Sequence, residues 1–202
     1  MKLLFRWALR LRGWKLSDKP FPMDKKAVVI FAPHTSNWDF VTMVMAKFAY
    51  GIKVRYLGKH TLFAKPFGWL FRALGGLPVA RHKNSDIVGQ VVQLIEENEQ
   101  IYLALSPEGT RKYTPYWKTG FYHIAQRAQI PLVMFYLDTK TRTIGFSDLF
   151  NISGDIDADM AKFKAYYADK VGYNPEQTSL IQTKQYYLQS RKTRDDNNTD
   201  KI

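Results

Sequence analysis

Three short apolar runs, at residues 27–32 (AVVIFA), 101–105 (IYLAL) and 131–137 (PLVMFYL), constrain the fold of this chain more than any other feature. Each is too short for a typical helix and apolar on consecutive positions, the pattern of a strand buried on both faces. Helix-patterned stretches separate them. One runs from near Asn37 to Tyr50 and another over 119–129. A third runs to about Asn98, with Asn84, Ser85 and Asp86 as N-cap candidates and Ile87, Val88, Val91, Val92, Leu94 and Ile95 turned inward. Weaker signals mark strands at 53–57 and 77–80, a short helix at 68–74 closed by Gly75 and Gly76, and helical material over 157–189. Strands alternating with helices predict an α/β fold with a mixed, partly parallel sheet flanked by helices.

Residues 2–15 read as an amphipathic helix, with Leu3, Leu4, Trp7, Ala8, Leu11 and Trp14 on one side and Lys2, Arg6 and Arg10 opposite. Phe5 and Leu9 fall outside the stripe. Tryptophan and leucine facing a basic surface is the pattern of a helix lying in a membrane interface; the alternative is a helix docked on the domain's own core. The apolar stretch is broken by Arg6, Arg10 and Arg12 and lacks a small-residue cleavage site, so it does not read as a signal peptide. No apolar run approaches the roughly 20 residues of a spanning helix. Residues 15–26, with Pro20 and Pro22, read as a polar connection. Phe67, Trp69, Leu70 and Phe71, beside Lys65 and Arg72, read as core, with an acyl-chain groove or a second membrane contact as alternatives.

Charge is unevenly spread. The net charge is +12, with eight Lys/Arg and two Asp in residues 1–26 and eight Lys/Arg without any acidic residue in 40–85. A basic first half favours an anionic partner, whether phospholipid, phosphorylated substrate or nucleic acid. There are no cysteines, which removes disulfides, thiolate metal sites and a Cys nucleophile. His34, His60, His82 and His123 are scattered without metal-binding spacing, so no metal site is expected.

Two loops carry candidate chemistry because each follows a buried strand, and sites in α/β sheets form beyond the carboxyl ends of strands. In Pro33-His34-Thr35-Ser36-Asn37-Trp38-Asp39, the Asp39 carboxylate lies one helical turn beyond His34. It can accept a hydrogen bond from the imidazole and favour its charged form during proton transfer. In Ser106-Pro107-Glu108-Gly109-Thr110-Arg111-Lys112, a tight turn offers backbone N–H groups and a guanidinium suited to bidentate phosphate contact.

Taken together, His34, Asp39 and the downstream Pro107-Glu108-Gly109-Thr110-Arg111 resemble the glycerolipid acyltransferase family, which makes phosphatidate from lysophosphatidate. Gly75-Gly76-Leu77-Pro78-Val79-Ala80-Arg81 and Ile130-Pro131-Leu132-Val133 match further family blocks in order and spacing, and the resemblance covers residues 27–137. Pro33 stands where many members have Asn, Ser106 stands where Phe is common, and the aromatic and acidic residues often found before Arg81 are missing. These departures suggest a short, divergent bacterial-type branch.

The resemblance implies that His34 deprotonates an acceptor hydroxyl, which attacks an acyl thioester directly, with no acyl-enzyme. It implies that Arg111 and Arg81 bind the acceptor phosphate, that Gly109 and Thr110 help form that site, and that Glu108 orients Arg111 or the acceptor. The implied substrates are a lysophospholipid, foremost 1-acylglycerol-3-phosphate, and acyl-CoA or acyl-carrier protein as co-substrate, with no cofactor. Another hydroxyl-bearing lipid is the alternative acceptor. An esterase using Ser36 or Ser106 lacks the Gly-x-Ser-x-Gly context. A nucleic-acid binder is suggested only by charge and a pI of about 9.7, and no nucleic-acid motif is present. The expected organisation is an interface helix and linker (1–26), an acyltransferase domain (27–190) and a disordered tail (191–202). The expected location is the cytoplasmic face of the inner or plasma membrane, as a peripheral protein on an anionic surface.

Overall fold

The computed structural model describes residues 1–22, 24–79 and 86–199. In chain order the elements are α1 (Lys2–Leu11), β1 (Lys15–Leu16), β2 (Lys26–Phe31), α2 (Asn37–Tyr50), β3 (Val54–Lys59), a 3₁₀ turn (His60–Phe63), α3 (Gly68–Ala73) and β4 (Gly76–Val79). There follow α4 (Ile87–Glu96), β5 (Ile101–Leu105), α5 (Gly120–Ala128), β6 (Leu132–Asp138), β7 (Thr143–Phe146), α6 (Ile156–Tyr167), a 3₁₀ turn (Pro175–Gln177) and α7 (Lys184–Thr199).

The described strands form one sheet of order β1-β7-β6-β2-β5-β3-β4. All neighbours are parallel except β6 and β7. The three apolar runs, β2, β5 and β6, lie side by side in its middle, because only central strands are covered on both faces. Along β2, Val28 and Ile30 pack beneath α4, α5 and α6, while Ala27, Val29 and Phe31 pack beneath α1 and α2. This two-sided burial makes the mixed α/β sheet expected from the sequence.

Several expectations are corrected. The connection over 15–26 contains β1, which pairs with β7, and neither was anticipated. A strand of two residues and one of four are too short to show a period. The single helical stretch over 157–189 is two helices, interrupted where Gly172 and Pro175 lead the chain past the site loops. The tail expected to be disordered from Arg191 is helical through Thr199, since no Gly or Pro interrupts α7; residues 200–202 lie outside the described residues. Of the N-cap candidates, Asp86 caps α4 by accepting from the Gly89 N–H, and Asn84 and Ser85 lie outside the described residues.

The N-terminal helix combines both readings of its sequence. It ends at Leu11, and Gly13 at φ +79° turns the chain so that Trp14 folds inward, only 3% exposed, instead of extending the stripe. Phe5 stacks on Phe48 of α2 with ring centroids 4.8 Å apart, and Leu9 is fully buried. The two residues outside the apolar stripe therefore dock the helix. The stripe itself faces away from the protein, with Leu3 82%, Leu4 64%, Trp7 61% and Leu11 67% exposed. A second exposed apolar group sits on α3, where Phe67 and Trp69 are 64% and 69% exposed. The core reading therefore fails for these two and for Leu70, which is 39% exposed: a six-residue helix beside the edge strand β4 buries one side, supplied by Phe71 against Phe63.

Candidate active site

The two loops singled out in the sequence meet at the carboxyl ends of adjacent parallel strands, β2 and β5. In the first loop, Ser36 caps α2: its hydroxyl accepts from the Trp38 N–H, and Asp39 three residues on accepts from the Ser36 N–H, closing a capping box. The same Asp39 Oδ2 also accepts from the Thr35 N–H at 2.6 Å and lies 3.1 Å from His34 Nδ1. Asp39 is 1% exposed, and its Oδ1 has no hydrogen-bond partner among the described residues. A helix cap and an imidazole anchor are thus one carboxylate. With Nδ1–H directed at Asp39, the lone pair resides on Nε2. The His34 side chain is 20% exposed and lines an open cleft of about 500 Å³.

From the second loop, Ser106, Gly109, Thr110 and Arg111 line that cleft. Gly109 adopts φ +65°, a conformation that favours glycine, and the Lys118 side chain lies over it. Arg111 is exposed and makes no ion pair among the described residues, so its fork remains open to an anion. Arg81 and His82 lie outside the described residues.

Glu108 occupies a different position from the one expected. It is 1% exposed and turned away from the cleft, accepting from the His34 N–H at 2.9 Å and from the Ser179 hydroxyl at 3.2 Å. It therefore braces the first loop against the second, where an acceptor-binding or Arg111-orienting role was expected. Burial pushes its carboxyl up to about 7; the bonds from His34 and Ser179 oppose the rise, and the Asp39 charge adds to it. Ser179, Thr114 and Asn174 were not foreseen as parts of this region, because nothing local marks them; Ser179 is 71 residues from Glu108.

Neither serine weighed as a nucleophile is arranged as one. Ser36 serves as the helix cap, and Ser106 Oγ is buried without a hydrogen-bond partner among the described residues. The cleft continues into an apolar seam between α2 and the sheet, sharing Phe31, Met43, Tyr56 and Ala104. The seam offers only about 30 Å³ of free space, with Lys47 on its wall donating to Leu74 O.

A family model for acyltransferases matches residues 15–137. This chain belongs to the acyltransferase family. Both loops of this acyltransferase lie within the match, and so do β1 through β5. A relative in Escherichia coli (strain K12), 1-acyl-sn-glycerol-3-phosphate acyltransferase, is 28% identical over 130 residues, 61% of this chain. The chain spans about half the length of that relative, 51%. The crystal structure of the 1-acyl-sn-glycerophosphate (LPA) acyltransferase PlsC from Thermotoga maritima superposes with a TM-score of 0.57 at 12% identity, covering 83% of this chain and 75% of that one. That likeness shows a shared α/β fold. The acyltransferase continues past its family-matched region through β7, α6 and α7, and this later part supplies Asn174 and Ser179 to the site loops.

Proposed function

We propose that this chain transfers a fatty acyl group from an acyl thioester to the hydroxyl of a lysophospholipid, foremost 1-acylglycerol-3-phosphate, giving phosphatidate. The supporting observation is the buried Asp39 carboxylate 3.1 Å from His34 Nδ1, in a cleft that also presents Arg111. His34 Nε2 takes the acceptor's hydroxyl proton as the oxygen attacks the thioester carbonyl carbon. The Asp39 charge favours the imidazolium that forms. The tetrahedral intermediate then breaks its C–S bond, and the imidazolium returns the proton to the departing sulfur. Atoms and charge balance with no cofactor. Turnover of a panel of lysophospholipids with acyl-CoA and with acyl-carrier protein tests the proposal. Phosphatidate formation from lysophosphatidate supports it, and transfer restricted to acceptors without phosphate would overturn the assignment of the acceptor.

Arg111 is proposed to hold the acceptor phosphate. Arg111→Lys keeps the charge and loses the bidentate fork. Steady-state kinetics should show the KM for lysophosphatidate rising about tenfold, with the acyl-CoA KM changed far less. The opposite pattern would assign Arg111 to the donor.

We further propose peripheral attachment to an anionic bilayer. No helix of the described residues is long and apolar enough to cross a membrane. The outward stripe Leu3, Leu4, Trp7 and Leu11 offers apolar contact, flanked by Arg6, Arg10 and Arg12, and Phe67 and Trp69 form a second exposed apolar group. Leu3→Ser/Trp7→Ser should lower affinity for anionic vesicles at least tenfold in a flotation assay, since each side chain loses on the order of 1.5 kcal/mol or more of burial. Turnover of a short-chain, water-soluble acceptor should persist, because Phe5 and Leu9, which hold the helix to α2, are untouched. Undiminished flotation would remove the helix from the membrane contact.

A further inference from the structure

A later stretch of chain, beyond the family-matched residues, reaches both site loops. It is fastened first at the β6–β7 turn, where Thr139 N–H and Oγ1 donate to Val171 O at 2.8 and 3.0 Å, and Oγ1 also approaches Gly172 O at 2.9 Å. Gly172 then passes so near the first loop that a Cβ there would stand 2.6 Å from Thr35 Oγ1. Asn174 grips the same residue twice: its N–H donates to Thr35 Oγ1 at 3.0 Å and its Nδ2 to Thr35 O at 2.7 Å. Tyr173 OH lies 3.1 Å from Thr42 Oγ1 on α2. Five residues beyond Asn174, Ser179 is buried beside the second loop. Its Oγ accepts from the Thr114 N–H at 3.1 Å, which directs its own proton to Glu108 Oε2. Leu180 N–H to Thr114 O and Trp117 N–H to Gln182 O complete the seam.

We infer that residues 172–179 form a strap holding the two site loops in register, with Asn174 and Ser179 as positioning residues that act on His34 through Thr35 and Glu108. Thr35 is the neighbour of His34 and donates its own N–H to Asp39, so fixing Thr35 O and Oγ1 fixes the loop carrying the imidazole. Glu108 in turn accepts the His34 N–H. Loops are the least stable parts of a fold, and a site held to sub-ångström tolerance needs such external ties. Glu108 is faced by Asp39, by the His34 amide and by the buried Tyr167 phenol. Losing the Ser179 hydroxyl removes one of the two bonds that favour its carboxylate, so protonation moves to higher pH, and a protonated carboxyl is a weaker acceptor for the His34 amide.

The experiment uses the full chain and has two arms. Amide hydrogen exchange of His34 and Thr35, read by NMR, requires no turnover. Ser179→Ala should accelerate exchange at His34, and Asn174→Ala at Thr35, by about fivefold or more. The kinetic arm rests on the acyl-transfer proposal. In Ser179→Ala the acid limb of the kcat profile should move up by roughly half a pH unit or more, as expected for one lost hydrogen bond. Ser179→Thr should restore both readouts. Unchanged exchange and an unmoved acid limb, with or without a lower Tm, would reduce the segment to ordinary packing and overturn the inference. Should Ser179→Ala fail to fold, Asn174→Ala decides by the exchange of Thr35. If the wild type transfers no acyl group, the functional proposal fails alone and the exchange arm still judges the strap.

Discussion

His34→Ala should lower kcat for acyl transfer by about 10²–10⁴-fold or more while the protein stays folded. The imidazole is the group in the cleft whose Nε2 is free to accept a proton, since its Nδ1 faces Asp39 at 3.1 Å. Folding should survive because Asp39 retains its bonds from the Thr35 and Ser36 amides, which cap α2 without help from the ring. The backbone N–H of residue 34 can still reach Glu108. Measuring kcat alongside a thermal melt separates the two effects. A Tm close to wild type with activity lost supports a proton-transfer role. Near-wild-type turnover by the folded variant would remove His34 from the mechanism.

Asp39→Asn is expected to be almost as damaging to kcat, by about 10²-fold or more, and also to cost stability. The amide that replaces the carboxylate has one acceptor oxygen where Oδ2 now serves three donors, and it carries no charge to favour the imidazolium. If its NH₂ group meets the ring, His34 must present the wrong tautomer. Because Asp39 also closes the capping box of α2, the folded state should lose on the order of 1 kcal/mol, visible as a lower Tm. Groups that act as one unit are non-additive. The double variant His34→Ala/Asp39→Asn should therefore be no slower than His34→Ala alone. A further drop of 10²-fold in the double variant would show that Asp39 acts on the reaction independently of His34.

The parts of this fold legible in the sequence are those written in local patterns. Residues 27–32 and 101–105 announced buried strands because both faces are apolar, and they occupy the sheet centre as β2 and β5. The His34–Asp39 pairing was readable because both residues lie in one short loop-to-helix segment beyond a buried strand, whereas the role of Ser36 as the helix cap was not anticipated. What was hidden depends on distant partners. Glu108 looks like a surface charge in a turn, and only the fold turns it inward onto His34 and Ser179. The docking of α1 by Phe5 and Leu9 was obscured because a helix with two apolar faces reads as an imperfect single stripe. Strands as short as β1 and β7 carry no period; β1 is set by pairing with β7 across more than a hundred residues, and β7 by folding back on β6.

The central claim, direct transfer from thioester to lipid hydroxyl by a histidine base, is tested most directly by a single turnover. Excess enzyme is mixed with lysophosphatidate and acyl-CoA labelled in the acyl group, then quenched at successive times. The label should pass from thioester to phosphatidate with none bound to protein at any time, and His34→Ala should show no transfer on that timescale. Label accumulating on the protein, or released as free fatty acid with the lysophosphatidate unchanged, would contradict the account.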